Sequence, residues 1–122
     1  MRDHRKLQAF QFADSLALDV YEATRSFPRS ELFGLTSQMR RAAVSVASNI
    51  VEGCARDSES AYLRFLDIAY GSAKEVEYQA SLAHRLGFLN DSSYGGLRSQ
   101  CMKTSRTLNA LINSLRKPNH RS

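Results

Sequence analysis

Between Leu7 and Phe27 the positions Phe10, Ala13, Leu16, Ala17, Val20, Tyr21 and Thr24 recur at steps of three and four, while Asp14, Asp19, Glu22 and Arg25 fill the other side. A spacing near the helical period lines such residues along one stripe, so the segment predicts an amphipathic helix. Phe27-Pro28 ends it, because proline has no amide hydrogen and pushes the preceding residue out of the helical region. Glu31 to Gly34 then reads as a connecting corner. A second stripe of Leu35, Met39, Ala42, Val46, Ile50 and Gly53 predicts a helix capped by Thr36 or Ser37 and running to about Cys54.

Asp57 or Ser58 signals a third start, with Glu59 placing an acid in the first turn. Tyr62, Phe65, Leu66, Ala69, Ala73, Val76, Ala80 and Ala83 continue as one line to Leu86, and Gly87 is a natural left-handed terminator. Asn90, Asp91, Ser92 and Ser93 are alternative caps for a fourth helix whose start is left open by Gly95-Gly96, since glycine in a helix costs about 1 kcal/mol. The pattern is clear from Leu97 onward, through Cys101, Thr104, Leu108, Leu111, Ile112 and Leu115, and Lys117-Pro118 closes it. Four helices with short connections predict an all-α, antiparallel up-down-up-down bundle over residues 1–118, followed by a disordered tail over 119–122.

The second helix departs from ordinary bundle composition. Gln38, Arg41, Ser45, Asn49, Glu52 and Arg56 follow three- and four-residue steps beside the apolar stripe and make a polar ribbon. Glu75 and Glu77 on the third helix are placed to meet Arg40 or Arg41. Small residues at 42, 43, 45, 47 and 48 permit close approach of another helix, from the same bundle or from another subunit.

The run from Phe27 to Gly53 resembles a signature of the four-helix-bundle proteins called 23S rRNA intervening-sequence proteins, approximately Phe-Pro-x-x-Glu-x-(Phe/Tyr)-Gly-Leu-x-x-Gln-x-Arg-Arg-Ala-x-x-Ser-(Ile/Val)-x-x-Asn-Ile-x-Glu-Gly. Arg64 to Glu77 resembles that family's Arg-Phe-Leu-x-Ile-Ala-x-Gly-Ser-x-x-Glu-x-Glu block. Val51, Cys54 and the Gly95-Gly96 pair are the main departures. The resemblance covers essentially the whole chain and implies a four-helix bundle with no established activity. It also implies a ring-shaped homo-oligomer, a pentamer being favoured. Relatives are encoded within ribosomal RNA genes, and accessory proteins of diversity-generating retroelements look like the same bundle with a basic surface.

Charge is unevenly distributed. Residues 1–90 carry 11 Lys/Arg and 11 Asp/Glu, whereas 91–122 carry six basic residues against Asp91, so the net charge of +5 belongs to the last quarter. Arg98, Lys103, Arg106, Arg116 and Lys117 are the candidate nucleic-acid contacts, for RNA or DNA. Arg98 and Lys103 are about 140° apart around the helix and Lys103 and Arg106 about 60°, a broad basic side rather than a narrow phosphate track.

No apolar run is long enough to span a bilayer, the N-terminus has no signal-peptide core, and a cytoplasmic protein with reduced Cys54 and Cys101 is expected. The bundle metal pattern of inward Glu-x-x-His pairs is absent, and His84 is expected at a surface or edge, so no metal, cofactor or small-molecule substrate is assigned. A nucleophilic serine in the Ser45, Ser48, Asn49, Glu52 cluster lacks a local base, with Lys74 the one helix-three amine in prospect. The sequence therefore predicts a non-enzymatic, self-associating scaffold or accessory protein with a basic fourth helix. The alternative is a protein-interaction module that uses the polar ribbon and has no nucleic-acid role.

Overall fold

A computed structural model of the chain describes residues 2–117, which form four helices: α1 Gln8–Thr24, α2 Leu35–Cys54, α3 Glu59–Arg85 and α4 Asp91–Arg116. Single 3-10 turns, His4–Lys6 and Arg29–Glu31, precede α1 and α2, and no strand occurs among the described residues. The tail expected over 119–122 lies outside those residues.

Each helix packs against its neighbours in sequence and α4 returns to α1, while the diagonal pairs stay apart. The contacts run in opposite senses along every adjacent pair. Gly53 meets Tyr62 at one end of α2–α3, and Ser45 meets Ser72 further along. Arg116 bonds Asp67 at one end of α3–α4, and His84 meets Asp91 and Tyr94 at the other. The helices therefore alternate in direction, as short corners between packed helices require.

Two buried clusters fill the interior. Leu16, Val20, Met39, Ala43, Val76, Ala80, Leu97 and Cys101 pack near the α1–α2 corner. Ala9, Ala13, Val46, Ile50, Cys54, Leu66, Ala69, Leu108 and Ile112 pack toward the other end. The second-helix stripe is buried at every predicted position. Tyr21 instead lies exposed beneath the Arg40 guanidinium, and Phe65, Leu111 and Leu115 are half-buried, because an amphipathic stripe is wider than the core contact.

One local expectation is corrected and one left open is settled. Neither Thr36 nor Ser37 caps α2: the Glu31 carboxylate accepts from the Leu35 amide at 3.1 Å, and Thr36 is buried. The fourth helix starts at Asp91, with the Asn90 side chain accepting from the Ser93 amide at 2.7 Å. Gly95 and Gly96 are helical, since the cap and the packing of Leu97 offset their cost. Ser58 caps α3 as predicted, accepting from the Ala61 amide at 3.2 Å, and Gly87 takes φ +83° just beyond that helix.

Candidate functional site

Small residues on facing helices leave space that large aliphatics would fill. Between α2 and α3 that space is a pocket of about 470 Å³ lined by Gln38, Arg41, Ala42, Ser45, Ser72 and Glu75. Ser45 Oγ and Ser72 Oγ are 2.9 Å apart, and Asn49 Nδ2 donates to the Ser45 carbonyl at 2.8 Å and to Ser45 Oγ at 2.9 Å. Half of the predicted ribbon thus converges with α3. Glu52 does not join it but pairs with Arg56, which lies over the Phe65 ring.

The predicted ion pairs from Glu75 and Glu77 to Arg40 or Arg41 are not formed. Arg40 turns toward α1, donating to Thr24 Oγ1 at 2.8 Å, and Glu77 takes Lys74 at 3.0 Å. Glu75 lines the pocket across from Arg41 and accepts from Gln79 at 3.3 Å. The local i,i+3 and i,i+4 partners are nearer in reach than the facing helix, which explains the difference. Gln79 is buried, yet its Oε1 has no hydrogen-bond partner among the described residues. An unpartnered buried acceptor of this kind costs about 1–3 kcal/mol, and nothing in the α3 pattern announces it.

The pocket is lined by hydrogen-bonding and charged side chains, and Lys74 does not reach Ser45 as a base. Ser45 Oγ is engaged by Asn49 and Ser72, and Lys74, the one amine in prospect, is held by Glu77, which raises its affinity for the proton. His84 is half-buried at the α3–α4 end, stacked on Tyr94 with ring centroids 4.4 Å apart, and its Nε2 lies 2.7 Å from Asp91 Oδ1. No group of three His, Cys, Asp or Glu suited to a metal is found among the described residues. Cys54 and Cys101 are buried free thiols; burial raises both, Cys101 to about 12. No helix among the described residues is long and apolar enough to cross a membrane.

On α4, Arg98, Lys103 and Arg106 border a single concavity of about 340 Å³ with Gly95, Ser99 and Met102. None of the three cations has an ion-pair partner among the described residues. The side chains are long enough to line one hollow although their backbone positions fan out, which narrows the broad side expected from angular spacing. Arg116 stands apart, bonded to Asp67 of α3, and Lys117 follows the helix end.

Two further surfaces carry exposed apolar groups that helical periodicity did not single out. Phe33, at the α1–α2 corner, is 93% exposed, with Leu32 beside it at 50%. A shallow, largely apolar hollow lined by Ala47, Ser48, Val51, Glu52 and Ala55 lies on the outer side of α2. The sequence signal was present in the Leu32-Phe33 pair outside any stripe.

The family model described as 23S rRNA-intervening sequence protein matches residues 5–110. A crystal structure of a protein of unknown function from the S23 ribosomal protein family, from Bacteroides thetaiotaomicron VPI-5482, superposes with a TM-score of 0.77 at 20% identity, covering 85% of this chain and 97% of that one. At that identity the likeness is one of fold. No functionally curated protein matches the chain.

Proposed function

Since the chain belongs to the 23S rRNA-intervening sequence protein family, we propose that it is a non-enzymatic, cytoplasmic scaffold or accessory protein. Its copies self-associate, a ring of five being favoured, and the α4 face holds the phosphate backbone of RNA or DNA. The observation that carries the nucleic-acid reading is the α4 concavity, where Arg98, Lys103 and Arg106 converge without a carboxylate partner among the described residues. Three cations on one chain make a weak site for a polyanion. Repetition around a ring makes each later contact intramolecular and raises the avidity.

The absence of a stacking aromatic among the residues of this hollow favours backbone contact over base reading. Binding of this kind releases counterions and weakens steeply with salt. The test is native mass by light scattering, with absorbance at 260 and 280 nm recorded across the same peak at low and high salt. The reading predicts an assembly whose nucleic acid leaves at high salt, and loss of that nucleic acid in Arg98→Gln/Lys103→Gln/Arg106→Gln with the mass unchanged. Equal retention by the triple variant would overturn the α4 assignment.

The second reading is a protein-interaction module without nucleic acid, supported by the α2–α3 pocket with Arg41 and Glu75 on its walls. A protein partner packed there by hydrogen bonds and helix contact releases no condensed counterions, so a complex free of nucleic acid that persists at high salt and is lost on Ser45→Arg, which fills the pocket, favours it.

A further inference from the structure

Phe33 is held, not dangling. The Glu31 amide donates to the Pro28 carbonyl at 2.9 Å, the Leu32 amide to Arg29 at 3.1 Å, and the Gly34 amide to Glu31 at 3.0 Å. The Glu31 side chain then fastens the corner to the first turn of α2 through the Leu35 amide. Just ahead, Phe27 is buried against Phe88, with ring centroids 5.5 Å apart. A rigid corner therefore presents an aromatic ring to solvent. Covering such a side chain removes its apolar surface from water, and with the corner backbone already held the ordering cost is mainly that of the ring's own rotamer.

The apolar hollow of about 510 Å³ lies toward the other end of the same helix. It is floored by small side chains, Ala47, Ser48 and Ala55, with Val51 beside them and Glu52 on the rim. Eighteen residues separate Phe33 from Val51, about 27 Å along a helix axis, so the ring of a chain cannot reach its own hollow. The corner also carries Arg29, which has no ion-pair partner among the described residues, while Glu52 pairs through Oε2 with Arg56 of its own chain in an exposed contact that leaves Oε1 for an arriving cation.

We propose that Phe33 of one copy, with Leu32 beside it, seats in the Ala47–Val51–Ala55 hollow of a second copy, with Arg29 set against Glu52 at the rim. This rests on the self-association proposed above and names the surfaces that produce it. Knob and hollow are different patches, so the contact is heterologous: each copy gives its knob to one neighbour and its hollow to the other. Successive contacts of that type close into a ring or extend as a filament. An aromatic in a small-residue pocket is the kind of anchor that carries most of an interface's energy.

The test uses two single variants of the full chain, Phe33→Asp and Val51→Asp, both at exposed positions. Circular dichroism establishes that each is folded, and Ser48→Arg replaces Val51→Asp if the latter is not. Light scattering should give an assembly of three or more copies for the wild type and a single-chain mass for each variant alone. An equimolar mixture retains one intact junction, the knob of the Val51 variant in the hollow of the Phe33 variant, and should form a heterodimer and nothing larger. A wild type that is itself monomeric overturns both this proposal and the self-association beneath it. A Phe33 variant that keeps the wild-type mass overturns the knob alone and leaves self-association standing. Two monomeric variants that fail to pair on mixing show that these patches are not partners.

Discussion

Ser45 Oγ lies 2.9 Å from Ser72 Oγ across the α2–α3 seam, while Asn49 Nδ2 donates to the same Ser45 oxygen from one turn below. A hydroxyl that accepts from Asn49 still has its own proton to give. The three side chains thus form a chain of hydrogen bonds from α2 into α3, of which Ser45 and Ser72 line the pocket with Arg41 and Glu75. Small polar residues at these positions let the helices approach and leave the seam hydrogen-bonded.

The two hydroxyls of that pair should be energetically coupled. Ser72→Ala is expected to destabilise by about 0.5–1.5 kcal/mol, the range for one intramolecular hydrogen bond. Ser45→Ala/Ser72→Ala should cost less than the sum of the two single changes, because neither hydroxyl is then left facing a methyl group. Urea unfolding of the four proteins measures the coupling. Strictly additive effects would show that the bond contributes nothing.

Gly53 and Gly71 should respond oppositely to alanine. A Cβ at Gly53 would lie 3.0 Å from Phe65 Cβ, 3.1 Å from Tyr62 Cδ1 and 3.3 Å from the Tyr62 carbonyl oxygen, atoms fixed to or near the α3 backbone. Overpacking there costs about 1–3 kcal/mol, more than the helix-propensity gain near the end of α2. A Cβ at Gly71 meets nothing within 4 Å, so Gly71→Ala should stabilise by about 0.5–1 kcal/mol. Thermal midpoints decide this, and a Gly53→Ala protein as stable as Gly71→Ala would refute the close crossing.

Burial of Cys101 raises its thiol from an ordinary 9.0 to about 12, with the Glu77 carboxylate adding to the rise. Below pH 9 the folded and unfolded forms both hold the proton, and this group leaves stability unchanged with pH. Between 9 and about 12 the unfolded chain releases it while the folded chain keeps it, so stability falls as pH rises through that window. Cys101→Val should flatten part of that fall in urea midpoints taken at pH 8 and pH 10.5. In the native wild type both thiols should react slowly with a disulfide reagent at pH 8 and rapidly in urea. Fast reaction of Cys101 in the native protein would contradict its burial.

The four helices were legible because each buries a stripe whose period is that of the helix itself, as Leu35, Met39, Ala42, Val46, Ile50 and Gly53 illustrate. Corners were legible where chemistry forces them, at Phe27-Pro28 and Gly87. The ribbon was legible as a face, but not its partners. Glu77 chose Lys74 rather than an α2 arginine, and Gln79 was buried although its type favours the surface. The start of α4 was obscured because a glycine pair reads as a break until the Asn90 cap and the burial of Leu97 are known.

By itself the sequence determined the all-α class, the apolar stripes, the corners and the excess of positive charge in the last quarter, since these depend on local spacing and on residue type. The tertiary structure alone decided that Ser45 and Ser72 share a bond, that Arg98, Lys103 and Arg106 border one hollow while Arg116 leaves for Asp67, and that Phe33 stands in solvent. Each depends on the register between helices and on the reach of long side chains, and periodicity along one helix carries no information about the register of its neighbour.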